Sequence, residues 1–90
     1  TAVRQQAATE LAPQVDCMIV IGGFNSANPR RLAEICTEIQ PKTYHIETAA
    51  EIDCSWFQGV ETVGVTAGAS TPKWIIDEVM DRLEQVNNSH

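Results

Sequence analysis

Two stretches of small and neutral polar residues are where this chain could do chemistry. The first is Gly22-Gly23-Phe24-Asn25-Ser26-Ala27-Asn28, followed by Pro29. The second is Ala67-Gly68-Ala69-Ser70-Thr71, followed by Pro72. Glycines let a backbone approach a ligand closely. Asn25, Ser26, Asn28, Thr66, Ser70 and Thr71 offer neutral hydrogen-bond donors. Each loop runs into a segment that reads as a helix. The first N–H groups of a helix lack partners within it, and its dipole favours negative charge there. Such a pair of loops suits a phosphate or diphosphate, held by many hydrogen bonds and little side-chain charge. The same residue types also serve as ordinary helix caps, which is the structural alternative. Neither loop matches G-x-x-x-x-G-K-[ST] or G-x-G-x-x-G, so a nucleoside triphosphatase or a dinucleotide fold has no motif here.

The remaining reactive side chains form no catalytic set. Ser70 lies in Gly68-Ala69-Ser70-Thr71-Pro72, which is not G-x-S-x-G, and no base accompanies it. His45 reads as a structural histidine of a strand and His90 falls in the tail. Asp77, Glu78 and Asp81 share a helix face, but no histidine joins them to make a metal site. The three cysteines, Cys17, Cys36 and Cys54, are widely spaced, with no CxxC. They read as free thiols of a reducing compartment rather than metal ligands. Trp56, Phe57 and Trp74 read as core or interface packing.

The elements that must position the two loops follow from periodicity. Residues 2–12 predict a helix, with Val3, Ala7 and Leu11 at four-residue spacing and Pro13 ending it. Cys17 to Ile21 is an unbroken apolar run, the pattern of a strand covered on both faces. Asn28 then reads as a helix cap and Pro29 as the first helical residue. Leu32, Ile35, Cys36 and Ile39 form the stripe of that helix, and Pro41 stops it. Thr43 to Ile46 reads as a second strand, Thr48 to Phe57 as one or two short helical turns, and Thr62 to Thr66 as a third strand. Trp74, Ile75, Val79, Met80, Leu83 and Val86 make the stripe of a final helix, and residues 87–90 a tail. Strands alternating with helices imply parallel strands joined by right-handed crossovers. The expectation is one α/β domain over residues 1–86: a small three-layer αβα sandwich with a three-stranded parallel sheet and the first strand central. The two loops would then be neighbours beyond the carboxyl ends of the strands, where open α/β sheets bind ligands.

Composition bounds the function further. Ninety residues, 43% hydrophobic and 20% charged, describe one small globular domain. The net charge is −6, and residues 46–90 carry eight acidic groups against two basic ones. That distribution lacks the basic face a nucleic-acid partner needs. The longest apolar run is far below the ~20 residues of a membrane span. The chain starts at Thr1 without a signal-like segment, which reads as the start of a fragment or a processed piece.

Residues 22–32 and 63–72 resemble the signature loops of the 4-hydroxy-3-methylbut-2-enyl diphosphate reductase (LytB/IspH) family, whose patterns run roughly G-G-x-N-S-S-N-[TS]-x-R-L and V-G-[VI]-T-A-G-A-S-[AT]-P. Thr1 to Ala7 is similar to the end of that family's I-C-x-A-T-x-x-R-Q segment, and Tyr44 to Ala49 with Trp56 resembles the stretch between the loops. The resemblance covers residues 1–86. It implies an oxidoreductase of non-mevalonate isoprenoid biosynthesis that reduces an allylic diphosphate to isopentenyl and dimethylallyl diphosphates. It further implies a 4Fe-4S cluster, electrons from ferredoxin or flavodoxin, and three similar α/β domains around a cavity, of which this would be the last. The resemblance assigns diphosphate binding to Ser26, Asn28 and Ser70, with the backbone N–H of Ala27 standing where the family usually has a second Ser. It places no catalytic residue in this fragment. Cys17, Cys36 and Cys54 match none of the ligand positions, so no metal is held here. A cluster cysteine is expected just upstream of Thr1. Pro29, in place of the usual Thr or Ser, removes a backbone donor, and Val3 stands where many members have Asn. The implied compartment is the bacterial cytoplasm or the plastid stroma, with neighbouring domains of the same chain as partners. The alternative from the residues alone is a stand-alone, non-catalytic α/β module that binds a phosphorylated metabolite; a third reading is a structural domain whose loops are only caps.

Overall fold

The computed structural model describes residues 9–68 and 71–88. Three parallel strands, β1 (Cys17–Ile21), β2 (Thr43–Ile46) and β3 (Val63–Ala67), form one sheet in the order β2-β1-β3. The central position expected for the first strand is what the chain adopts. All five side chains of β1 are fully buried, as its unbroken apolar run requires. Successive side chains of a strand point to opposite faces, so β1 feeds two separate cores. Cys17, Ile19 and Ile21 join Ile46, Ile52, Phe57, Val79 and Val86 on one face. Met18 and Val20 join Ala12, Leu32 and Cys36 on the other. The second face is covered by α1 (Ala27–Ile39) and the first by α2 (Lys73–Asn88), which completes the three layers.

Polar side chains set the strand starts level. The Asp16 carboxylate accepts from the Glu61 and Thr62 N–H groups at 3.0 and 3.4 Å, tying the entry of β1 to that of β3. Gln40, which follows α1, donates from Nε2 to the Val15 carbonyl at 2.6 Å. At the other end of the sheet Ile21 is level with Ile46 on one side and Ala67 on the other, so both loops leave from one edge. Between β2 and β3 the expected short turns are two 3-10 turns, Ala49–Glu51 and Cys54–Phe57. Thr48 and Glu51 close a capping box on the first, and Asp53 caps the second through Ser55 N–H, which lowers the Asp53 carboxyl below its usual range. Tyr44 and Trp56 stack with ring centroids 4.1 Å apart.

Several local expectations change. The cap of α1 is Ser26, not Asn28, and Pro29 is the third helical residue rather than the first. The N-terminal helix is described only from residue 9; it gives way after Leu11 to a 3-10 turn, Ala12–Gln14, that contains Pro13 instead of stopping before it. α2 runs to Asn88, so positions 87 and 88 of the expected tail are helical. Its stripe is also narrower than periodicity implies: Val79 and Val86 are buried, whereas Trp74 is 60% and Met80 47% exposed. α2 crosses only a three-stranded sheet, so a wide apolar stripe outruns the surface available to cover it. Ile39, at the last turn of α1, is also exposed.

Candidate anion-binding site

Both loops emerge beyond Ile21 and Ala67 and are locked to each other by backbone and ring contacts. The Ile21 carbonyl accepts from Gly68 N–H and from the Thr71 hydroxyl, each at 3.0 Å. Thr71, expected as a ligand donor, thus spends its hydroxyl proton on the end of β1. Pro29 is buried between the loops. A methyl group built on Gly22 would lie 2.4 Å from Pro29 Cβ, and one built on Gly68 would lie 3.0 Å from Pro29 Cδ. Gly22 is therefore demanded by the close approach of the proline ring, whereas at Gly68 the ring would have to give by only a few tenths of an ångström. Pro29 sits within the first turn of α1, where a backbone N–H has no helical partner anyway, so its missing donor costs the helix nothing.

Ser26 has extended backbone and makes no side-chain capping bond, so its half-buried hydroxyl is not spent on the N–H groups of α1. Asn28 is the second residue of that helix and is also half-buried. Ala27, its first residue, is exposed. Ser70 lies outside the described residues. Thr66 is half-buried within β3, paired to Val20, and Asn25 is exposed. Arg30 and Arg31 both point to solvent; Arg31 pairs with Glu34 at 3.4 Å, with each side chain 65% exposed, a geometry worth little. A cavity of about 160 Å³ opens between Gly22–Gly23, Glu47–Thr48 and Thr71–Pro72, with Ile75 beside it. Ligand pockets usually hold about 300–1,000 Å³, so this hollow fits one end of a ligand rather than the whole of it.

The sequence reading missed how the first loop is held. His45 Nε2–H donates to the Gly22 carbonyl at 2.9 Å, Gly22 N–H donates to the Ile46 carbonyl at 2.9 Å, and Phe24 N–H donates to Glu47 Oε1 at 2.8 Å. The Phe24 ring meets the His45 ring edge-on, centroids 4.8 Å apart. A signal existed: His45 and Glu47 alternate around the buried Ile46, which puts them on one side of the strand. His45 thus holds the first loop through its ring nitrogen and its contact with Phe24. The cysteines are dispersed. Cys17 and Cys36 are buried in different cores, Cys54 is exposed, and burial pushes the Cys17 thiol up to about 11. Among the described residues no group of histidine, cysteine and carboxylate side chains could hold a metal ion.

Residues 1–84 match the LytB protein family. The chain belongs to that family. Among its LytB relatives, 4-hydroxy-3-methylbut-2-enyl diphosphate reductase of Trichlorobacter lovleyi is 92% identical over 90 residues, all of this chain and 32% of that protein. The protein of the same description from Pelobacter propionicus is 73% identical over the same span, again 32% of its length. A solved structure described as (E)-4-hydroxy-3-methyl-but-2-enyl diphosphate reductase, the terminal enzyme of the non-mevalonate pathway, superimposes with a TM-score of 0.91 at 55% identity, covering 93% of this chain and 30% of that one. The reductase structure from Plasmodium falciparum shares the fold, with a TM-score of 0.82 at 24% identity over 94% of this chain and 26% of that one. This LytB chain therefore spans about a third of the length of the relatives it matches. Among its described residues no helix is long and apolar enough to cross a membrane.

Proposed function

We propose that this chain is one α/β domain of a 4-hydroxy-3-methylbut-2-enyl diphosphate reductase and that its task there is to grip the diphosphate of the allylic substrate. The observation that carries this reading is the pair of loops at one sheet edge, keyed together by Pro29, with the uncapped Ser26 hydroxyl at the start of α1. Ser26, Asn28, Ser70 and the Ala27 N–H are the assigned contacts. The small cavity beside the loops is lined by Gly22, Gly23, Thr71 and Pro72 and not by Ser26, Ala27 or Asn28, so these contacts form a site shared with parts of the full-length protein that this chain does not contain. The described cysteines do not fit an iron–sulfur cluster: two are buried on opposite sides of the sheet and one is exposed. A 4Fe-4S cluster of the full-length enzyme is then held by residues outside this chain, and so are its catalytic groups, with ferredoxin or flavodoxin as the electron donor of that enzyme. The bacterial relatives favour a bacterial cytoplasm over a plastid stroma.

The test is a titration of inorganic pyrophosphate and of the allylic diphosphate into a full-length chain carrying this domain. A hydrogen bond to a charged group contributes about 1.5–3 kcal/mol, so Ser26→Ala, Asn28→Ala or Ser70→Ala should each weaken binding by roughly 10- to 150-fold. Unchanged affinity in all three variants would remove the site assignment.

A further inference from the structure

His45 and Glu47 stand outside the contacts assigned to the diphosphate, yet three consecutive residues, 45 to 47, hold two residues of the first loop, Gly22 and Phe24. The arrangement follows from strand geometry. Ile46 turns its side chain into the core, where it is 1% exposed, and presents its carbonyl to Gly22 N–H. Its neighbours on either side then project together toward the loop. His45 supplies a donor to the Gly22 carbonyl and an edge-to-face ring contact with Phe24. Glu47 supplies an acceptor to Phe24 N–H and also borders the cavity between the loops. Its own backbone is fixed in turn, because Glu47 N–H and Thr48 N–H both donate to Glu51 Oε2 at 2.8 Å.

We propose that Glu47 and His45 are positioning residues of the diphosphate loop, and that the Glu47 carboxylate opposes excess negative charge in the cavity it borders. This inference rests on the diphosphate reading above. The two roles of Glu47 have opposite signs. Its hydrogen bond fixes the backbone that leads into Ser26, so losing the bond loosens the loop and weakens anion binding. Its charge repels the anion, so neutralising it without losing the acceptor favours binding. Glu47→Ala removes bond and charge together. Glu47→Gln keeps an amide oxygen for Phe24 N–H and removes only the charge.

The experiment measures inorganic pyrophosphate affinity in the full-length chain for the unsubstituted protein, Ser26→Ala, Glu47→Ala and Glu47→Gln. Hydrogen–deuterium exchange of the peptide spanning residues 22–26 is read in parallel, without ligand. The expected result is a loss of about tenfold for Glu47→Ala, with affinity equal to or tighter than the unsubstituted protein for Glu47→Gln. Exchange in 22–26 should quicken in Glu47→Ala and stay slow in Glu47→Gln. Ser26→Ala weakening binding while Glu47→Ala leaves it unchanged overturns this inference alone, as does a Glu47→Gln variant that binds as weakly as Glu47→Ala. No saturable binding by the unsubstituted protein, or binding indifferent to Ser26→Ala, overturns the diphosphate site and this inference with it.

Discussion

Replacing Gly22 by alanine tests whether Pro29 keys the two loops together. The new methyl carbon would stand 2.4 Å from Pro29 Cβ and 2.7 Å from Pro29 Cγ, both atoms of a rigid ring. Carbon atoms pack best at about 3.5–4.0 Å, so the ring or the loop must move by about 1 Å. Overpacking of that kind typically costs about 1–3 kcal/mol. In a domain of this size each kcal/mol moves the melting temperature by about 4–8 °C, so Gly22→Ala should melt at least about 4 °C lower. Backbone strain does not contribute, because among the described residues only Gly59 has a positive φ. Gly23→Ala is the internal control: nothing lies within 4 Å of its new methyl group, so it should be neutral or slightly stabilising. A double-mutant cycle in urea assigns the clash to one atom. Pro29→Ala keeps the offending Cβ and should leave the Gly22→Ala penalty in place. Pro29→Gly removes that Cβ and should recover about 1 kcal/mol of it as coupling. Equal melting of Gly22→Ala and Gly23→Ala, or strict additivity of Gly22→Ala with Pro29→Gly, would refute the wedge.

Thiol labelling of the native chain should modify Cys54 alone, with Cys17 and Cys36 reacting only after denaturation; rapid native labelling of Cys17 would contradict its burial. Because burial raises the Cys17 thiol from 9.0 to about 11, the unfolded chain ionises first, and stability should be full below pH 9 and fall as pH rises toward 11. Urea midpoints at pH 8, 9 and 10.5 check the sign. The isolated chain exposes Phe24, Trp74 and Met80 and leaves β3 at a sheet edge, so it should melt low or self-associate in sedimentation. A monomer melting sharply above about 65 °C, the upper end of common mesophile values, would contradict this.

Residue pattern alone leads to the parallel α/β architecture and to the place of the two loops. The apolar run Cys17–Ile21 needs cover on both faces, which calls for helices on each side of the sheet, and with β1 central the loops after β1 and β3 lie side by side. Small residues ahead of a helix start, read with the family patterns, were enough to propose an anion there. How the loops are held depends on contacts between residues distant in sequence. Helical spacing could not tell that Trp74 and Met80 would face solvent, because periodicity marks a stripe but not how much sheet lies beneath it. Cap chemistry pointed to Asn28 before Pro29, yet the helix begins after Ser26, with the Pro29 ring in its first turn packed against Gly22 and Gly68. The bonds from His45 and Glu47 to the first loop span 23 residues each, and a contact of that range exists only once β2 lies against β1 in register.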